Sequence, residues 1–280
     1  MDLAFGAVAG CASGAVLLAW LYFGRYAVTR PPLGVMNRWD VGIMLGAIVV
    51  VPSLYLLLPL GLVAGLLAAG YLSVLYTAAE PVLRARRAIW PVVLALLALD
   101  GGVAHRFGPA SVPFFAVNNG VLVAVVVGVA NLWAQSGLKA RDAAVLGAGL
   151  AGYDLVATSG LPVMTDLITR LAALPFAPLV AWPTGGAGQW LGIGLGDLLL
   201  AAVYPLVLGR AFGERAGGVA LAAGLVALGG MLALVHLRVV PVGLPAMVVL
   251  GPLMGLQYAY WSRCHSGERT TGQYLRLASH

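Results

Sequence analysis

Two aspartates stand inside apolar runs, Asp154 in GAGLAGYDLVATS (147–159) and Asp197 in LGIGLGDLLL (191–200). A charged carboxylate at bilayer depth costs at least ~2.5–3.5 kcal/mol on insertion scales, so it normally faces a protein interior or a watery cavity. Two carboxylates held close share one proton instead of both ionising. One then serves as a general base that activates water. The other, as a general acid, protonates the carbonyl or the leaving amine. This is the chemistry of aspartic peptide hydrolysis. The plainer reading of either aspartate alone is a polar contact between helices, averaging ~0.6 kcal/mol. The other acids, Asp2, Asp40, Glu80, Asp100, Asp142, Asp166, Glu214 and Glu268, fall in loops, tails or predicted helix ends.

Other chemistries find little support. Cys11 and Cys264 form no C-x-x-C pair, and His105, His236, His265 and His280 are scattered. Neither a metal site nor a disulfide framework is expected, and no cofactor. Gly192, Gly194 and Gly196 lack the spacing and strand context of a dinucleotide fingerprint, and no G-K-[ST] phosphate loop occurs. The net charge is +6, with the basic residues between apolar runs. That distribution fits a cytoplasmic membrane face and excludes nucleic acid as the expected partner.

The elements that must position the aspartates are membrane spans. The chain is 61% hydrophobic and 9% charged, against roughly 25% charged in a soluble domain. Apolar segments fall at about 3–23, 41–58, 60–77, 88–104, 112–134, 141–159, 189–209, 217–236 and 241–261. A single helix over 41–77 would be ~54 Å long, too long for one crossing, so a turn is expected near LLPLG (57–61). Nine spans place thirteen of the sixteen basic residues on one side and Arg106, Arg170 and Arg238 on the other. The positive-inside rule then sets the N-terminus outside and the C-terminus in the cytoplasm. The expectation is an all-α polytopic membrane protein with nine transmembrane helices. One membrane domain fills 1–280: helices 1–5 over 1–135 as scaffold, helices 6–9 over 136–265 as the catalytic half, and 266–280 as a cytoplasmic tail. VAGC (8–11) resembles a lipoprotein box, but the order of charge and apolar run argues for a retained helix. Almost all basic residues are Arg, and Ala, Gly and Val abound. A prokaryotic plasma membrane is the expected location.

The spans bring the chemistry to one level. Counting from the helix ends, Asp154 lies ~8 Å and Asp197 ~12 Å below the same face. The glycines ahead of Asp197 suit close helix packing or the approach of a substrate backbone. In PVGLPAMVVL (241–250), Pro241 and Pro245 weaken the start of the ninth span. Pro245 to Met247 fall ~6–9 Å deep, beside the aspartates.

Together these motifs resemble the GxGD intramembrane aspartyl proteases, the presenilins and signal peptide peptidases. The resemblance rests on Tyr153–Asp154 in a sixth helix, GLGD (Gly194, Leu195, Gly196, Asp197) in a seventh and PAM (Pro245, Ala246, Met247) in a ninth. It covers about 150–250, and 1–135 matches only by helix count. It implies that Asp154 and Asp197 are catalytic. It also implies that Tyr153, Gly194, Leu195, Gly196, Pro245, Ala246 and Met247 shape the substrate site. Met247 replaces the family's Leu, a near-isosteric change. The N-out orientation is that of signal peptide peptidases, and the presenilin hydrophilic insert is missing from 160–188. MTDLITRLAALPF (164–176) is read as a surface amphipathic helix, either part of a substrate gate or a plain connector. The implied substrates are single-span proteins with N-in, C-out helices, or remnant signal peptides. No obligatory partner subunit is expected beyond the bilayer. A prepilin peptidase is disfavoured, since no basic residue follows Asp197 until Arg210. A proton- or cation-coupled transporter, or a silent homologue that binds helices, would use the same carboxylates.

Overall fold

A computed structural model describes residues 2–28, 35–83, 85–109, 111–159, 163–185, 189–237, 239, 246–265 and 267–276. The chain is mostly helical. Helices α1 (Asp2–Phe23), α2 (Arg38–Leu57), α3 (Leu60–Leu83), α4 (Arg86–Phe107) and α5 (Val112–Gln135) precede α6 (Ala140–Ser159) and the short α7 (Val163–Ala172). A hairpin follows, β1 (Leu179–Pro183) and β2 (Trp190–Gly194). Then come α8 (Leu195–Phe212), α9 (Glu214–His236), α10 (Met247–Cys264) and α11 (Thr271–Arg276). α1–α5, α8 and α9 are long and apolar enough to cross a membrane. The fold is therefore that of a polytopic membrane protein.

Local sequence explains the boundaries. The Asn37 side chain accepts from the Trp39 and Asp40 N–H groups, and the Asn37 N–H donates to the Asp40 carboxylate at 2.8 Å. This reciprocal cap satisfies donors that the first turn of α2 leaves free. Leu58 and Pro59 separate α2 from α3, at the turn expected from LLPLG. Ser111 caps α5 through the Phe114 N–H, with a proline in the first turn. The core gathers around α5 and α8, whose side chains are buried along most of both helices.

The structure departs from the sequence expectation in several places. Residues 190–194, read as the top of the seventh span, form β2. Short apolar runs bounded by Gly and Pro suit either a strand or a helix, and here the pairing with β1 decides. The register runs from Leu179 opposite Gly194 to Pro183 opposite Trp190. The fold is thus not purely helical, and Asp197 is the third residue of its helix. Asp100, assigned to a helix end, is fully buried within α4. α6 and α10 fall outside the set of long apolar helices. α6 carries Arg141, Asp142 and Asp154, and α10 is apolar only in its first half, ending in QYAYWSRC. Pro241, Pro245, Arg30, Arg84 and Arg238 lie outside the described residues, as do parts of 160–188.

Candidate active site

Asp154 sits five residues before the end of α6 and is 5% exposed. α6 is Ala- and Gly-rich, which lets α10 approach its backbone. A Cβ at Gly251 of α10 would lie 2.6 Å from the Gly147 carbonyl oxygen and 2.8 Å from Ala151 Cβ. Only glycine fits there. α10 is tied in turn to α8, since the Tyr204 hydroxyl donates to the Met254 carbonyl at 2.6 Å.

Asp197 reaches the same region by another route. The Leu195 N–H donates to the Pro178 carbonyl at 2.9 Å, so the hairpin fixes where α8 begins. Gly194 is extended and forms the N-cap. Asp197 therefore occupies the first turn, beside the partial positive charge of the helix N-terminus. The backbone N–H groups of Ala246 and Met247, where α10 begins, are its hydrogen-bonding partners. Two helix starts thus converge on one carboxylate.

The three glycines ahead of Asp197 have different duties. A Cβ at Gly192 would lie 2.9 Å from both Ala181 Cβ and the Val180 carbonyl oxygen, so this glycine serves strand packing. At Gly196 it would meet Leu150 of α6 at 3.3 Å, so this one sets the spacing of the two aspartate helices. At Gly194 its nearest neighbour would be Asp197 Oδ2, at 3.9 Å. That position leaves an approach to the carboxylate open.

A cavity of about 590 Å³ joins these parts. Tyr153, Asp154, Gly194, Gly196, Asp197 and Ala246 all line it, together with apolar side chains of α2, α7 and α9. Its size is that of a site for a small ligand or a few residues of peptide. The two carboxylates are close enough to interact electrostatically. Leu195 and Met247 do not line the cavity; Met247 is wholly buried behind it. Among the described residues no group of three or more His, Cys, Asp or Glu side chains is arranged to hold a metal ion.

No protein-family model and no curated protein matches this chain. The site is therefore read from its own geometry.

Sequence reasoning missed the groups that hold the hairpin. Asn119 of α5 donates to the Ala181 carbonyl at 2.9 Å and accepts from the Ala181 N–H at 3.0 Å. Its amide imitates a neighbouring strand along β1. Asn118 donates to the Ala177 and Leu179 carbonyls at 3.1 and 3.2 Å. Both asparagines are buried. The signal was the polar pair NN within the apolar run of α5. Phe176, just before β1, has φ 62°, a left-handed conformation that costs a side-chain-bearing residue roughly 1–2 kcal/mol. Its ring lies edge-on to Tyr71 of α3, and its N–H neighbours the Asp100 carboxyl. Arg170 of α7 donates to the Leu58 carbonyl, fastening α7 to the α2–α3 turn. Helices of the first half thus hold β1, the partner of the strand that leads to Asp197.

Proposed function

We infer that the chain is an intramembrane aspartyl protease of the GxGD type, cutting single-span substrates with an Asp154/Asp197 dyad. The observation that carries this reading is one cavity lined by both carboxylates and by the start of α10. In the proposed reaction, a water between the carboxylates loses a proton to the ionised one as its oxygen attacks the peptide carbonyl carbon. The protonated carboxyl hydrogen-bonds the carbonyl oxygen as charge develops there. Collapse breaks the C–N bond, and the amine leaves with a proton from the dyad.

A helical substrate hides its peptide bonds, so the segment at the site must be extended. Among the described residues β2 pairs with β1 alone, and its other edge runs directly into Gly194. Such an edge offers backbone hydrogen bonds to an extended peptide. Counting α6 and α10 as spans gives nine, with N-terminus out and C-terminus in, from the distribution of Arg. The substrates on this reading are N-in, C-out helices or remnant signal peptides in a prokaryotic plasma membrane.

The test is cleavage of a panel of single-span substrates by purified protein. Asp154→Ala and Asp197→Ala should each lower the rate by about 10³-fold or more, as loss of a group acting in a unit does, while remaining monodisperse. Full cleavage by either variant defeats the reading.

A further inference from the structure

The segment after α10 reads as a hydrophilic tail, yet its Tyr274 is 0% exposed. Its contacts are specific. Glu268 Oε1 accepts from the Ala140 N–H, the first residue of α6, at 2.7 Å, and from the Tyr274 hydroxyl at 2.5 Å. Arg269 donates to the Arg210 carbonyl in the last turn of α8 at 2.8 Å. Tyr274 also reaches the Val207 carbonyl of α8 at 3.4 Å. Thr270 and Gln273 start the short α11 that presents Tyr274, through Thr270 N–H to Gln273 Oε1 at 2.9 Å.

Charge explains the arrangement. α6 begins and α8 ends at this face. A helix start carries partial positive charge and unpaired N–H groups; a helix end carries the reverse. The adjacent Glu268 and Arg269 therefore match the two helices that bear Asp154 and Asp197, acid to the start and base to the end. α8 is already fixed here, because buried Arg210 donates to the Ala134 carbonyl at 2.8 Å and lies 4.8 Å from the Phe23 ring centroid. The tail adds α6 to that fixed point.

We propose that residues 267–276 are a brace that sets the position of α6 against α8, with Glu268 and Tyr274 as positioning residues for the dyad. This rests on the protease reading. Ala140 lies fourteen residues from Asp154, about 21 Å along a helix. A tilt of about 3° at the capped end moves Asp154 by about 1 Å, and such a misplacement can cost about 10²-fold in rate. The brace thus acts on catalysis without touching substrate.

The experiment compares full-length Glu268→Ala, Glu268→Gln and Tyr274→Phe in the cleavage assay. Glu268→Ala should lower kcat by about 10-fold with KM within about twofold, because the cavity is untouched. Glu268→Gln should recover most of the rate, since an amide oxygen still accepts both bonds. Tyr274→Phe keeps the buried ring and should fall between them. A second readout needs no activity: oxidative cross-linking of an Asp154→Cys/Asp197→Cys pair with Cys11 and Cys264 replaced by Ser. Glu268→Ala should slow that cross-link about fivefold or more. Unchanged kcat and cross-linking overturn the brace while leaving the protease reading intact, and so does an effect on KM alone. A tail-dependent cross-link in a protein that cuts no substrate upholds the brace and removes the protease reading.

Discussion

α8 and α6 each present one carboxylate to the cavity, but they are held by different means. α8 is enclosed: the run from Leu200 to Leu208 is buried without a break, and Arg210, Ala211 and Phe212 follow. α6 is buried at its start, through Ala140, Ala143, Ala144 and Leu146; farther on it keeps Asp154 and Ala157 buried while its other side opens. Leu155 and Val156, beside Asp154, are 55% and 65% exposed. The enclosed helix gains its place from apolar burial, about 25 cal/mol per Å² of area against the unfolded chain, a figure that weakens where lipid replaces water. α6 has few side-chain atoms to bury. Its place depends on a glycine contact with α10 at one level and on the tail at another. One aspartate sits on a wall, the other on an arm.

The contrast is broken or sharpened first by paired substitutions. Leu206→Ala in α8 should cost about 2–5 kcal/mol through a cavity, lowering the thermal midpoint in detergent while the surviving folded protein cuts at near the native rate. Gly251→Val should cost about 1–3 kcal/mol by overpacking, yet reduce cleavage far more than its midpoint shift implies, because it displaces α6. Equal ratios of lost activity to lost stability in the two variants would erase the distinction between wall and arm.

Asn119→Ala tests whether α8 owes its start to the hairpin. It strands the Ala181 N–H and carbonyl, at about 1–3 kcal/mol for a buried group left unpaired. Hydrogen exchange should quicken at β1 and at the first turn of α8 and stay unchanged in α6; uniform exchange would contradict this.

Within the hairpin the effects are smaller. Gly192→Ala should lower stability by about 1–3 kcal/mol, since neighbouring backbone must move. Gly194→Ala should change stability by no more than about 0.5 kcal/mol and still slow cleavage by crowding Asp197. Thermal melts and cleavage rates on the two variants check the split.

The smallest effect is on pH. Burial pushes the Tyr274 hydroxyl well above the ordinary tyrosine range. A pKa raised in the folded state means its stabilisation is complete below the unfolded value, about 10, and is lost as pH climbs beyond it, by at most about 1.4 kcal/mol per pH unit. Between pH 9 and 11 the midpoint of the native protein should drop more than that of Tyr274→Phe. Parallel curves would show that the hydroxyl is not held there.

Much of this was legible in the sequence, for reasons that differ by element. The first five helices are long apolar runs with punctuation, and their limits fall close to the expected ones except at the end of α3, which runs on to Leu83 where 77 was expected. Asp154 and Asp197 stood out because carboxylates are costly in such runs. The hairpin was hidden because WLGIG carries no periodicity that separates strand from helix. Asp100 was passed over because its neighbour, Phe176, is distant in the chain and left-handed, which no local pattern announces. Tyr274 was invisible for a similar reason. Its partners, Glu268 and Val207, meet it only once α8 and the tail are folded together.

The Asn119 amide has a consequence for self-association. A two-stranded ribbon ordinarily has two flanks on which further strands can grow, the usual route to aggregation. Here one flank is closed by a side chain carrying a donor and an acceptor spaced like a peptide group. Growth can proceed from the other flank only, so two copies that meet through this ribbon form a closed pair and no fibre.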